Sequence, residues 1–381
     1  MKARAVLFQI HLWTGLTLGI VLAILGLSGS ILVYHDELLE MTQAPKPHAQ
    51  AQGVMLPLDM LLAAAREKYP AKHANATIAL PEEKGDGLLV RFQSGRARSG
   101  PESGADVYID PASAKVLDIR KAPHNAFIGL MHDLHGRLLI PGREGRQVVG
   151  WLGIAMLLLG CTGIVIWWPK RGQWSAGFRI RRNARGYWFY RDLHGAVGIW
   201  GLVVFLIVSF SGVAIAFPDT VRSIVTFGGA HSAQRIDPRN SPAVEPVKGQ
   251  KPISLDGAVT LVKAKLPDAD IRSITVPAGR TSAWRVMIGS MDDGPVSVAY
   301  VDPWRKQIVA LRAPSGSADT FMAWQRPLHA GGGWGGFWRI LVFLSGLLPS
   351  LFVTTGIVMW IKKRRARVRI PSSAAVEGAN A

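Results

Sequence analysis

Four runs of this chain contain no Asp, Glu, Lys or Arg: residues 12–34, 148–168, 195–217 and 340–361. Each is as long as the roughly 20 residues that an α-helix needs to cross a bilayer. The burial of four such runs inside one soluble core is not expected, so they are read as transmembrane helices. Composition agrees: of 381 residues, 49% are hydrophobic and 18% charged, against about 25% charged in a soluble domain. A single cysteine, Cys161, excludes an intramolecular disulfide, a Cys-ligated zinc site and an iron–sulfur cluster held by this chain alone.

The formal net charge of +18 suits either nucleic acid or a membrane. Its distribution decides between them. Lys2 and Arg4 precede the first run. Seven basic residues (Lys170, Arg171, Arg179, Arg181, Arg182, Arg185 and Arg191) lie between the second and third. Six more follow the fourth, from Lys362 to Arg369. These share one side of the membrane, which the positive-inside rule makes cytoplasmic. The charge is therefore a topology signal, and no nucleic-acid partner is expected; the apolar contact is with membrane lipid. The first run is too long for a cleaved signal and reads as an anchor.

The two halves of the chain match. His11-Leu12-Trp13-Thr14-Gly15 corresponds to His194-Gly195-Ala196-Val197-Gly198, and Ser28-Gly29 to Ser211-Gly212, at one constant offset. Tyr108-Ile109-Asp110-Pro111 corresponds to Tyr300-Val301-Asp302-Pro303, Leu134-His135 to Leu328-His329, and Thr162-Gly163-Ile164-Val165 to Thr355-Gly356-Ile357-Val358. The expected fold is a polytopic α-helical membrane protein of four transmembrane helices in two parallel repeats, each with a periplasmic α+β domain. In order these are a cytoplasmic N-terminus and first helix (1–35), a first outside domain (36–123), an interfacial segment and second helix (124–168), and a basic cytoplasmic loop (169–193). A third helix (194–217), a second outside domain (218–326), an interfacial segment and fourth helix (327–361) and a basic tail (362–381) complete it. Within the outside domains, 58–69 and 255–266 have helical periodicity. Short strands are expected at 77–80, 88–92, 106–109, 115–118, 271–276, 284–288, 296–301 and 308–311, with Asp-Pro turns in the last hairpin of each half. Residues 95–104 read as a polar loop and the tail after Arg369 as disordered.

Four of the ten histidines occupy matched positions: His11 and His194 at the cytoplasmic ends of the first and third helices, His135 and His329 before the second and fourth. Ionisable residues beside apolar spans are functional candidates. Neutral imidazole ligates iron, and two imidazoles from facing helices make an axial pair. Equivalence of the halves opposes His11 to His194 and His135 to His329. The competing reading is interfacial histidines that bond lipid headgroups. Glycines at 15, 19, 26, 29, 198, 201 and 212 either make room for a flat macrocycle or let helices pack closely. His132 lies on the same helical face as His135 and is the alternative outer ligand or a propionate partner; His35, without a counterpart, reads as surface. Arg137 and Arg326, or Arg4 and Arg191, are candidate propionate partners. Trp304, Trp324, Trp334 and Trp338 are candidates for an apolar docking surface, with interfacial anchoring as the competing role. Breakers at Pro141-Gly142 and around 331–336 place both outer histidines on short segments separate from the helices that follow. A nucleotide fingerprint is lacking, so electrons must come from a partner or a diffusible donor.

Taken in order, Ile10-His11-Leu12-Trp13-Thr14-Gly15-Leu16, Leu134-His135-Gly136-Arg137, Leu328-His329-Ala330-Gly331 and the Thr-Gly-Ile-Val-x-Trp endings at 162–167 and 355–360 resemble the PepSY-associated transmembrane family of bacterial inner membranes. The resemblance spans about residues 5–365 and is strongest to its di-haem ferric-siderophore reductases. It implies PepSY-like outside domains, two bis-histidine haem b groups at His11/His194 and His135/His329, and a ferric siderophore as substrate; the donor is left open between a quinol and a cytoplasmic reductase. A non-catalytic membrane protein that binds a periplasmic protease or transporter is the alternative, as is a haem relay to another metal or redox protein.

Overall fold

The computed structural model describes residues 2–42, 45–51, 53–70, 74–81, 85–94, 104–121, 126–226, 241–290, 294–314 and 316–368. The expected loop at 95–104, apart from Gly104, and the tail from Arg369 lie outside them. By contacts the chain divides into two units, one of residues 1–35, 130–221 and 328–381, the other of residues 36–129 and 222–327.

The first unit is a bundle built on four long helices: α1 (Lys2–Val33), α5 (Gly142–Trp167), α7 (Tyr187–Ala216) and α11 (Gly335–Val368), all long and apolar enough to cross a membrane. Three of them continue past the charge-free runs into basic sequence at the terminus-bearing end, because Lys and Arg keep their stems on the helix and their charges in the headgroup layer. Neighbours around the bundle run α1–α11–α7–α5–α1, so α1 and α7 stand on a diagonal. Glycine sets the closest approach: a Cβ on Gly26 of α1 would lie 2.3 Å from the Gly346 carbonyl oxygen of α11, and Ser30 Oγ donates to the Phe343 carbonyl nearby. Shorter helices α2 (His35–Thr42), α4 (Ala126–Arg137), α6 (Trp174–Gly177), α8 (Pro218–Val225) and α10 (Gly316–Ala330) join the longer elements. The breakers act as expected. Leu138, Leu139 and Gly142 have positive φ between α4 and α5, as do Gly331, Gly333 and Gly335 between α10 and α11.

The second unit corrects one expectation. The halves do not form two separate α+β domains; their strands join in one antiparallel sheet of eight. The strands are β1 (Ala74–Ala79), β2 (Leu88–Ser94), β3 (Gly104–Ile109), β4 (Val116–Lys121), β5 (Ile271–Val276), β6 (Trp284–Ile288), β7 (Ser297–Asp302) and β8 (Gln307–Arg312). Their order is β4-β3-β2-β1-β5-β6-β7-β8. Pairing of β1 with β5, from Ala76↔Val276 to Ala79↔Ser273, satisfies two edges that separate sheets would leave open. Helices α3 (Leu58–Lys68) and α9 (Leu255–Lys265) bury Leu61, Leu62, Ala258 and Val262 in one core with Ile78, Val90, Ile274 and Val286. They also cap each other. Asp59 of α3 accepts from the Leu255 backbone N–H at 2.8 Å, and Asp256 of α9 accepts from Leu58 N–H at 2.9 Å. Each carboxylate thus serves the N-terminus of the opposite helix, where negative charge is stabilising.

The Asp-Pro turns are built on buried carboxylates. Asp110, 1% exposed, accepts from the backbone N–H groups of Gln50, Ala51, Ala112 and Ser113. Burial pushes its carboxyl up, but the four donors outweigh that and hold it down at about 2. Asp302 accepts from Trp304 and Arg305 N–H at the matching turn. Trp304 is itself core, 4% exposed with Val244, Ala283 and Tyr300. Trp338 is buried in the bundle with Val33 and Val342, and Trp334 is exposed. These tryptophans therefore do not form the single apolar surface considered from sequence.

Candidate cofactor-binding site

Two pairs of imidazoles face each other in the bundle. At the end carrying the N-terminus, the rings of His11 on α1 and His194 on α7 have centroids 6.3 Å apart at an interplanar angle of 72°. At the opposite end, His135 on α4 and His329 on α10 stand 5.8 Å apart at 37°. A metal–nitrogen bond of about 2 Å puts an imidazole centroid about 3 Å from the metal, so two trans ligands span about 6 Å. Both pairs have that spacing.

The hydrogen bonds fix which nitrogen is engaged. His11 Nδ1 is 2.9 Å from Thr162 Oγ1 on α5, and His194 Nδ1 is 2.7 Å from Thr355 Oγ1 on α11. Each threonine hydroxyl donates its one proton back along its own helix, to Leu158 O and Leu351 O at 2.7 Å. The oxygen is left as an acceptor, so Nδ1 carries the proton in both histidines and Nε2 keeps its lone pair. His135 Nδ1 donates to the Leu25 carbonyl and His329 Nδ1 to the Val208 carbonyl, each at 2.9 Å. Carbonyls only accept, so the same tautomer holds there. A partner on Nδ1 that orients the ring and raises the basicity of Nε2 is the usual support of a metal-bound histidine.

Local sequence explains the carbonyl contacts. Gly29 stands four residues after Leu25, and Gly212 four after Val208. In a helix the side chain at that position shields the carbonyl, and its absence opens the second lone pair. A Cβ on Gly29 would lie 2.7 Å from His135 Cε1, and one on Gly212 2.9 Å from His329 Cε1. The seat of His135 lies 18 residues beyond His11 on α1, and that of His329 18 residues beyond His194 on α7. Eighteen residues make about five whole turns and a rise of about 27 Å, so both sites lie on one face of each helix.

A cavity of about 960 Å³ opens at the first pair, lined by His11, Gly15, Gly198, His194, Phe352 and Met156 among others. This is at the upper end of the roughly 300–1,000 Å³ of ligand pockets. The glycines divide by task. A Cβ at Gly15 or Gly198 would make only ordinary contact, 3.9 Å from Leu159 and 3.8 Å from Phe352, so close helix packing does not require these two. One at Gly19 or Gly201 would lie 2.6 Å from Val353 or Leu348, so these serve helix packing. The imidazole pair would hold a metal-centred group here, and the glycine-lined cavity has the volume for a flat macrocycle. Among the described residues no three His, Cys, Asp or Glu side chains cluster.

The remaining candidates fall elsewhere. The ring of His132 meets that of His35 at 5.3 Å and 70°. His35 is half-buried rather than a bare surface residue. Arg4 donates to the Ile166 and Trp168 carbonyls, capping the end of α5. Arg191 pairs with Asp192 and lies 4.4 Å over the Trp188 ring. Arg137 pairs with Asp133, and Arg326 is exposed. Arg4 and Arg191 still line the cavity mouth with Lys363 and Arg364. Thr162 and Thr355 were not singled out as ring partners from sequence, although both stand in the matched Thr-Gly-Ile-Val segments.

Comparison with known proteins gives two findings. The profile of the PepSY-associated TM region matches residues 8–363. A Pseudomonas aeruginosa protein described as uncharacterised is 26% identical over 267 residues. That match covers 64% of this chain and 66% of the relative, just under two thirds of its length.

Proposed function

We propose, for a chain that belongs to the PepSY-associated TM family, that it is a bacterial inner-membrane reductase holding two bis-histidine haem b groups. It passes electrons across the membrane to a ferric siderophore. The observation that carries the reading is the two facing imidazole pairs, 6.3 and 5.8 Å between centroids, with every Nδ1 engaged and every Nε2 left as an acceptor. When bound, haem supplies reversible one-electron chemistry that no side chain here offers.

The chain's own residues do the rest. His11 and His194 would hold one group and His135 and His329 the other; Thr162, Thr355 and the Leu25 and Val208 carbonyls hold the rings. The basic mouth of the cavity, with Arg191 and Lys363, suits carboxylates of a bound macrocycle. The positive-inside rule puts that mouth and both termini in the cytoplasm, and the strand-bearing segments in the periplasm. Electrons enter from a quinol or a cytoplasmic reductase and leave at the His135/His329 end. There ferric iron, a hard ion suited to oxygen chelators, becomes the softer ferrous ion and is released.

The test is an absorption spectrum of the purified chain, oxidised and dithionite-reduced, with haem counted. Two six-coordinate b-type haems are expected, falling to one in His11→Ala, His194→Ala, His135→Ala and His329→Ala alike. Colourless protein after expression with ample haem would overturn the reading and favour a non-catalytic membrane protein that binds a periplasmic protease or transporter. Two haems with no reduction of ferric siderophore would redirect the relay to another metal or a redox protein.

A further inference from the structure

His35 and His132 make a third contact between imidazoles. At the offsets that match the two halves, His35 falls on Pro218 and His132 on Arg326, so the second half carries neither imidazole. Two residues far apart in sequence nevertheless bring their rings to 5.3 Å, nearly perpendicular. His132 is exposed and His35 half-buried, so the pair opens on one side.

The spacing differs from that of the other two pairs in an informative way. With each centroid about 3.15 Å from a shared ion, 5.3 Å corresponds to a ligand–metal–ligand angle of roughly 115°, against roughly 135° for 5.8 Å and roughly 180° for 6.3 Å. Of the three pairs this is the one nearest to a tetrahedral angle. A cis pair leaves the remaining positions of the ion to water or to an arriving ligand, which is the arrangement of an exchangeable site rather than a closed one. Imidazole nitrogen suits divalent first-row metals such as iron, copper, nickel and zinc, and not hard ferric iron in an oxygen chelate. The position adds a second point. His132 lies one helical turn before His135 on α4, and His35 opens α2 six residues after the Gly29 seat.

We propose that His35 and His132 form a cis two-imidazole site for a divalent first-row metal ion beside the His135/His329 pair. That the cargo is ferrous iron, taken up as the oxygen chelator loosens its hold, rests on the proposed function. The metal site itself does not.

The test uses the full chain in detergent with Cu²⁺ as probe, since copper binds such a site more tightly than ferrous iron. Equilibrium dialysis gives affinity, electron paramagnetic resonance reports bound nitrogens, and haem per chain is recorded for every variant. The expected result is one copper with two nitrogen ligands. His35→Ala and His132→Ala should each weaken it by about tenfold or more, with haem content unchanged and His48→Ala silent. Copper affinity and nitrogen coupling unaltered in both variants would overturn the proposal, as would a loss of haem in His132→Ala, which would make that residue part of the haem site. A colourless protein that still binds copper through His35 and His132 would sink the reductase reading and leave the metal site standing.

Discussion

Gly29→Ala isolates one site of the pair. The added methyl would stand 2.7 Å from His135 Cε1, whereas non-bonded carbons rest at about 3.5–4.0 Å. The ring must retreat by about 1 Å. A metal–nitrogen bond tolerates only about 0.2 Å, so a displacement of that size removes the ligand. The methyl also covers the Leu25 carbonyl, costing the Nδ1 hydrogen bond, about 1 kcal/mol, and the ring orientation it provides, which is worth about 10–100-fold in metal affinity. The His11/His194 pair, about 27 Å away along the same helix, loses nothing. The purified variant should therefore carry one haem per chain by pyridine haemochrome assay, with the reduced band of the surviving site unshifted. Gly136→Ala is the control, because a Cβ there meets nothing within 4 Å; it should keep two. Two haems with an unaltered spectrum in Gly29→Ala would refute the assignment of His135 as a ligand seated on that glycine.

Thr162→Val removes the acceptor for His11 Nδ1 at nearly constant volume. It should weaken haem retention at that site by about 10–100-fold, while Thr162→Ser keeps it; haem loss to apomyoglobin gives the rates. Asp59→Ala and Asp256→Ala each strip a cap from the opposite helix and should each cost about 1 kcal/mol, read as a lowered melting temperature. Asp110 titrates near 2 when folded and 3.8 as a free side chain. The folded state therefore binds fewer protons, and stability worth about 2 kcal/mol is present above pH 4 and lost as pH falls toward 2. Denaturation followed by tryptophan fluorescence should show this slope, and Asp110→Asn should flatten it.

The four long helices were legible because a charge-free run of 20 residues has few alternatives, whereas their ends were not. A helix that continues into basic sequence, as α1 does from Lys2 and α11 does to Val368, carries no apolar signal there. Strands were legible one by one through alternation, which explains why β5 and β6 fall at 271–276 and 284–288 as expected. Pairing of β1 with β5 was not, because contact between residues some 200 apart leaves no local pattern. The matched halves singled out His11, His135, His194 and His329 for the same reason that they hid His35: a residue without a counterpart was set aside. Thr162 and Thr355 were visible as a matched pair, but their task depends on a hydroxyl of α5 meeting a ring of α1, a relation between helices that spacing within one helix does not encode.

The spacing of 18 residues between each inner histidine and the glycine seat beyond it has a consequence for how such chains can diverge. Side chains on the lipid-facing sides of α1 and α7 are free to change, since nothing in either site reads them. Chain length is not. One residue inserted between His11 and Gly29 would turn the seat by about 100° and move it 1.5 Å, which takes the glycine from under His135 and puts a side chain in its place. The heritable quantity in these spans is thus a count rather than a composition, and related chains are expected to differ by substitution across residues 11–29 and 194–212 while keeping that count fixed.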